Sequence, residues 1–321
     1  MIIKQIDNTI LEANAQLLKE KGSVFNSPDW LSLFVDALLH FGIFNGDNKL
    51  IGTFHIYKTT MQGLKVLRNA PFMPHIGLFA DNPAQSVSSS ISYEKDLLTQ
   101  LAGTISSVPH SMITISLPFY YKDLQPFIWK EFKVVPGYTY RLKLDASEEN
   151  LLANLSSNKR RALKKMEEEN LRTELTTDYK LVESLVLKTF SRKNKKTEED
   201  LLNKIFFEFA NEQNSFAYIT YRNNEPVSTA FCIHDSKTAY YMLGGYDQEN
   251  THYAAGVSSM WNCILEAKRR KLEVFDFEGS MIPEVEQYFR DFGGEIIPYY
   301  TINKATLPVE IYLKLKRRAY F

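Results

Sequence analysis

Apolar residues recur at helical spacing through Trp-Leu-Ser-Leu-Phe-Val-Asp-Ala-Leu-Leu-His-Phe, where Trp30, Phe34, Leu38 and Phe41 share one face. Ser27-Pro28-Asp29 supplies the entry, with Ser27 as N-cap and Pro28 in the first turn. Beyond the Asn45-Gly46-Asp47 turn the pattern shortens into apolar runs. It predicts strands at Leu50 to Tyr57 and Leu64 to Arg68, hinged at Gln62-Gly63. A loop with Pro71, Pro74 and Pro83 leads to a helix over Glu94 to Ser106 and a strand over Met112 to Leu117. A short helix over Gln125 to Glu131 and a strand over Tyr138 to Leu144 complete the half.

The second half repeats this order. Helices over Leu151 to Asn170, Tyr179 to Phe190 and Glu198 to Glu212 precede a hairpin, Phe216 to Tyr221 and Pro226 to Ile233, turning at Arg222-Asn223-Asn224-Glu225. A strand over Tyr240 to Gly244 and a helix over Ala255 to Lys271 follow. The half closes with a strand over Val274 to Phe277, a helix over Pro283 to Asp291 and a strand over Ile296 to Ile302. The repeat lies in the order of elements and not in the residues. The fold class is therefore α/β (α+β): two domains, 1–146 and 147–321, each a mixed sheet flanked by helices. A ligand is expected in a cleft between or along them.

With 321 residues the chain is long enough for two domains, and 44% hydrophobic content excludes a disordered state. Basic and acidic residues number 38 each, so a protein that wraps duplex nucleic acid by charge is disfavoured. Cys232 and Cys263 stand alone in apolar segments, as buried reduced thiols do, and no metal-ligand spacing is present. No secretory leader or spanning segment is visible, which points to the cytoplasm.

Three stretches suit anion or proton chemistry. In Ser157-Asn158-Lys159-Arg160-Arg161-Ala162-Leu163-Lys164-Lys165, Ser157 can cap a helix whose first turns bear five cations, against the helix dipole. Arg160 and Arg161 there can hold a phosphate, or the run is a solvated face balanced by Glu167, Glu168 and Glu169. From Gly244 to Ser259 a strand passes into a long helix through Tyr246, His252 and the small residues Ala255 and Gly256. The amides of Ala255, Gly256, Val257 and Ser258 can cradle a phosphate, or this is tight helix-to-sheet packing. In Val274-Phe275-Asp276-Phe277-Glu278-Gly279-Ser280, Asp276 and Glu278 share one strand face. Either can accept a proton, or cap the next helix or pair with Arg290. Tyr240-Tyr241 are half-buried strand residues or stacking partners for a ligand.

With those residues in hand, the chain resembles the FemAB-like, BioF2-like branch of the acyl-CoA N-acyltransferase (GNAT) superfamily. The resemblance rests on Ser27-Pro28-Asp29-Trp30-Leu31, Ala70 to Gly77, Trp129-Lys130-Glu131-Phe132 with Tyr138-Thr139-Tyr140, Leu155 to Arg161, Phe275 to Ser280, and Phe289 to Gly294. It implies tandem GNAT-like domains and transfer of an acyl group to an amine, with acyl-CoA as co-substrate and a cell-envelope precursor as one acceptor class. It also implies two alternatives, an aminoacyl-tRNA-dependent peptidoglycan-bridge transferase and a non-catalytic binding module. Bridge-forming members place a lysine three residues before the Phe-Gly matching Phe292-Gly293; here Phe289 stands there, beside Arg290.

On this reading Glu278 or Asp276 takes the proton, and amides around Leu243 to Tyr246 polarise the carbonyl. The Ala255 to Ser258 helix start, with Tyr246, His252, Arg160 and Arg161, anchors the donor. Trp30, Arg68, His75, Tyr241, Ser280 and Arg290 meet the acceptor. The basic C-terminal segment Glu310 to Arg318 packs on the second domain or touches a membrane surface.

Overall fold

The computed structural model describes residues 1–34, 37–169, 171–192, 199–250, 252–279 and 281–316. Thr251, Ser280, Arg317 and Arg318 lie outside the described residues. The chain forms two compact units, Met1–Gly137 with Pro298–Phe321, and Tyr138–Ile297. The division therefore falls at 137/138 rather than 146/147, and the last 24 residues belong to the first unit, not the second.

In the first unit, β1 (Ile2–Ile6), α1 (Asn8–Ala13), α2 (Ala15–Lys21) and α3 (Pro28–Leu31) precede β2 (Leu38–Phe44), β3 (Leu50–Met61) and β4 (Leu64–Arg68). After the two-residue β5 (Phe79–Ala80) come α4 (Val87–Ser107), β6 (Met112–Leu117) and α5 (Gln125–Trp129). The expected helix through Phe41 is corrected here. Ser27 does cap α3, accepting from the Trp30 amide, but the chain becomes strand at Leu38. Leu-Leu-His-Phe-Gly-Ile-Phe is apolar on both faces and pairs β1 on one edge and β3 on the other. Two ladders of hydrogen bonds outweigh the helical spacing. The core gathers Phe41, Ile43, Phe54 and Ile56 under the Leu97–Leu98–Leu101–Ile105 face of α4.

Strand β7 (Lys133–Lys143) carries the chain into the second unit. The expected helix 151–170 is two, α6 (Glu148–Asn154) and α7 (Ser157–Glu168), because Leu155 is extended and the Ser156 amide donates to the Asp291 carbonyl. Ser156, not Ser157, caps α7: its Oγ accepts from the Lys159 amide at 3.3 Å. Then follow β8 (Arg172–Thr176), α8 (Tyr179–Arg192), α9 (Glu199–Lys204), β9 (Ser215–Arg222), β10 (Glu225–His234) and β11 (Thr238–Tyr246). The unit closes with α10 (Ala255–Arg269), β12 (Val274–Asp276) and α11 (Pro283–Arg290). Strand β13 (Glu295–Ala305) leads back to the first unit and α12 (Leu307–Lys316). Its core packs α10 residues Val257, Met260, Cys263 and Ile264 on Phe216, Ala230 and Phe275. Cys232 and Cys263 are buried and unbridged.

With β5, α6 and α7 set aside, both units run strand, a group of two or three helices, three antiparallel strands, helix, parallel strand, helix, strand. In each, the third antiparallel strand pairs the next in parallel over only three residues: Val66–Arg68 with Met112–Thr114, and Thr238–Tyr240 with Val274–Asp276. What happens beyond those three residues distinguishes the units.

Candidate active site

In the first unit the gap past Arg68 is closed by the chain itself. Asn69 Oδ1 accepts from the Ser116 amide at 3.0 Å, and Ile76 donates to the Ser116 carbonyl while accepting from the His55 amide. Strand β5 then pairs β3 where β4 would have continued, and Ile76 and Leu78 are fully buried. In the second unit β11 runs on six residues past Tyr240, paired with β10 alone, while β12 stops at Asp276. Phe277 donates to the Tyr140 carbonyl, and the chain turns through Glu278 (φ 59°) and Gly279 (φ 66°). A side chain at Gly279 would meet the Tyr138 carbonyl at 2.4 Å, so that turn requires glycine. Glu278 has no such freedom, and a left-handed residue of this size costs about 1–2 kcal/mol. Strain of this kind gathers at working sites.

The two carboxylates have parted company. Asp276 is buried: Oδ1 accepts from Thr139 Oγ1 at 2.7 Å and from the Glu278 amide at 3.0 Å, and Oδ2 faces Arg141 Nε at 3.0 Å. Burial pushes its carboxyl up, and those contacts oppose the rise. Every oxygen is committed, so the expectation that Asp276 accepts the substrate proton is corrected; it anchors the turn. Glu278 is half-buried, and its side chain has no hydrogen-bond or ion-pair partner among the described residues. Burial and the neighbouring Asp276 charge hold its carboxyl well above the usual carboxylate range, against the more distant pull of Arg141. A carboxylate whose proton affinity is raised by burial and a like charge, with no bond to it among the described residues, is equipped as a general base.

The free edge of β11 faces the same splay. Asp247 donates to Val227 on β10, so by strand alternation the Tyr246 and Gly244 amides point away from β10. Tyr246 N–H is taken by Thr189 Oγ1 of α8 at 3.0 Å, which removes it as an oxyanion donor. Gly244 is half-buried, with no strand opposite. Gly245 is held to glycine, since a Cβ there would lie 2.4 Å from the Leu185 backbone; a Cβ at Gly244 would lie 1.8 Å from the Tyr241 hydroxyl and displace the end of that side chain. Tyr241 is thereby laid along the edge, its ring crossing Phe289 of α11 edge-on at 5.7 Å.

At the start of α10, His252 is a cap and not a free ligand: Nδ1 accepts from the Ala254 amide, Nε2 meets Glu169 at 2.8 Å, and its carbonyl accepts from Ala255. Ala255, Val257 and Ser258 are buried side chains, with Ser258 Oγ on Thr173 at 2.8 Å. Gly256 is half-buried and its carbonyl accepts from Tyr288 Oη at 2.9 Å. Only the first-turn amides can face a ligand there. The anion role of Arg160 and Arg161 is corrected. Arg160 closes the end of α6, donating to the Ala153 and Leu155 carbonyls, where a cation favours the dipole. Arg161 is exposed and bonds Ser157 O and Asn158 Oδ1.

The cation that turns inward is Lys159, only 6% exposed, its Nζ 3.4 Å from the Tyr288 ring centroid and 4.6 Å from that of Phe292. Its spacing to Ala162 and Met166 sets it on the buried stripe of α7. Burial lowers its ammonium to about 8, partly offset by Asp291. Below that value the folded state holds a charge that burial penalises, and stability recovers as pH rises from 8 to the unfolded value. Lys159→Met should therefore melt higher than wild type at pH 7, by on the order of 1–3 kcal/mol, with the gain shrinking by pH 10. A lower melting temperature at pH 7 would contradict this.

The acceptor contacts expected in the first unit are structural. Trp30 is fully buried, edge-on to Phe25 and Phe34. Arg68 donates to the Asn69 carbonyl and lies over Tyr57, and His75 Nδ1 accepts from the Gly77 amide, fixing the turn before β5. Arg290 is exposed and pairs with Glu286 at 3.7 Å, not with Asp276 or Glu278.

Residues 153–290, within the second unit, match the family of acetyltransferase (GNAT) domains. No curated protein sequence matches the chain. Among solved structures it is similar to FemX, with a TM-score of 0.68 at 11% identity over 99% of this chain and 100% of that one. It is also similar to L-PGS from Bacillus licheniformis (0.56, 12%, 98% of each chain) and to a tandem GNAT protein from the clavulanic acid biosynthesis pathway (0.52, 9%, 94% and 97%). The architecture is thus a mixed α/β, GNAT-like fold.

Proposed function

We propose that the protein is an N-acyltransferase moving an acyl group from an acyl-CoA-type thioester directly to an amine, with the chemistry in the second unit. The observation that supports it is Glu278: a strained, half-buried carboxylate, without a side-chain partner among the described residues, at the point where β11 and β12 separate. In this reading the Gly244 amide on the free edge of β11 polarises the carbonyl. Glu278 receives the proton as the amine nitrogen forms its bond to the carbonyl carbon, and the C–S bond breaks to release the thiol(ate). The unbonded first-turn amides of α10 hold donor phosphates. The FemAB-like resemblance read from the sequence implies a second donor class, an aminoacyl ester on tRNA, and a cell-envelope amine as acceptor, and the likeness of fold to FemX is compatible with it.

Thermal shift separates the donors, since a ligand at one hundred times its Kd stabilises the native state by about 2.7 kcal/mol. Acetyl-CoA and CoA are each expected to raise the melting temperature. A rise with aminoacyl-tRNA and none with CoA would replace the thioester reading by the ester one.

A further inference from the structure

The first unit contains a cavity of about 280 Å³ with no part in the chemistry above, bounded by β5, α4 and the Phe119–Tyr121 turn. Its walls include Tyr93, Tyr120 and Tyr121, the carboxylates of Asp81 and Glu94, and one cation, Lys21. Two polar groups there are left over. The Tyr121 side chain is 4% exposed as a whole, and its hydroxyl, not sealed from solvent, makes no hydrogen bond among the described residues; the neighbouring hydroxyls are used, Tyr93 on the Asp81 carbonyl and Tyr120 on the Leu78 carbonyl. The Glu94 carboxylate has no ion-pair or hydrogen-bond partner either. The nearby cations are committed, Lys95 to Asp123 at 2.6 Å and Lys21 to Asp81 at 3.3 Å. Burial and the Asp123 charge push the Glu94 carboxyl up, which is the condition a bound cation reverses.

Aromatic faces, an uncompensated carboxylate and a spare phenol oxygen are complementary to one chemical class. An ammonium has three N–H donors and no acceptor, and tyrosine faces attract it. We propose that this cavity is a binding site for a primary ammonium group, held by Glu94 and Tyr121 Oη between the tyrosine rings. The volume suits a head group with a short apolar stem, not a nucleotide. The site stands apart from the acyl-transfer reading, since none of its residues belongs to the second unit.

The test is calorimetric titration of the full chain with n-pentylammonium chloride and, at matched ionic strength, with its neutral isostere 1-pentanol. Pentylammonium is expected to bind saturably in the millimolar range and pentanol at least ten-fold more weakly. Glu94→Gln should lose at least ten-fold, Tyr121→Phe several-fold, and Glu278→Gln nothing. Equal binding of the two ligands to the unmodified protein, or no saturable binding, overturns the proposal whatever the variants do. Full affinity in a folded Glu94→Gln protein overturns it as well. Because the readout is binding and Glu278→Gln is the control, failure here and failure of the transferase reading are distinguishable.

Discussion

Glu278→Gln is expected to lower kcat by about 10²–10⁴, the contribution of a positioned general base, while leaving the affinity for the donor nearly unchanged. The substitution keeps the side chain's size and its left-handed backbone, and removes only the capacity to take a proton. Its effect on stability should have the opposite sign. A glutamate whose folded pKa lies above its unfolded value binds more protons when folded, so the native state loses stability as pH rises through that interval. At neutral pH the glutamine variant is therefore expected to melt at or above the wild-type temperature. Loss of turnover with retained stability is the signature of a residue kept for chemistry. Single-turnover kinetics and a melting curve on the same preparation read both. Undiminished turnover would remove Glu278 as the base.

Arg141→Leu should be the most damaging single change to the second unit. Arg141 places Nε 3.0 Å from Asp276 Oδ2 and Nη2 3.5 Å from Thr238 Oγ1, so it joins β7, β11 and β12 across the short stretch where they pair. Removing it leaves a buried carboxylate uncompensated, an effect of about 3–5 kcal/mol. At roughly 2–4 °C per kcal/mol for a unit of this size, the melting temperature should fall by about 6–20 °C. Activity should fall with it, because Asp276 accepts the Glu278 amide and so fixes the turn that presents the base. The double variant Arg141→Leu, Asp276→Leu should recover part of the stability and none of the activity, since the pair's attraction and its desolvation nearly cancel. Equal melting temperatures for wild type and Arg141→Leu would contradict the role given to the pair.

Much of this was legible in the chain. Strands at Leu64–Arg68 and Met112–Leu117, and the start of helices at Tyr179, Ala255 and Pro283, follow from local pattern and match the structure. Strand β2 did not, because Leu38 to Phe44 is apolar on both faces and only its two neighbours decide between helix and strand. Strand β8 escaped for the opposite reason: Arg-Thr-Glu-Leu-Thr is mostly polar and is held by its pairing to β9. At the site, the spacing of Asp276 and Glu278 identified two carboxylates, but their separation into an anchor and a free base depends on Arg141 and Thr139, more than 130 residues away. Counting cations favoured Arg160 and Arg161, where helix periodicity pointed to Lys159. The plug at Asn69 to Ala80, which closes the first unit and leaves the second as the candidate site, is long-range pairing that no local window contains.

Titration of the protein with ¹³C-labelled glutamate side chains, followed by NMR, reads the Glu278 carboxyl without a substrate whose own amine would also titrate. One resonance should have a midpoint well above the usual glutamate range of about 4–4.5, and that resonance should vanish in Glu278→Gln. If the signal lost in the variant titrates at the ordinary value, Glu278 is a solvated surface carboxylate and cannot be the proton acceptor assigned to it.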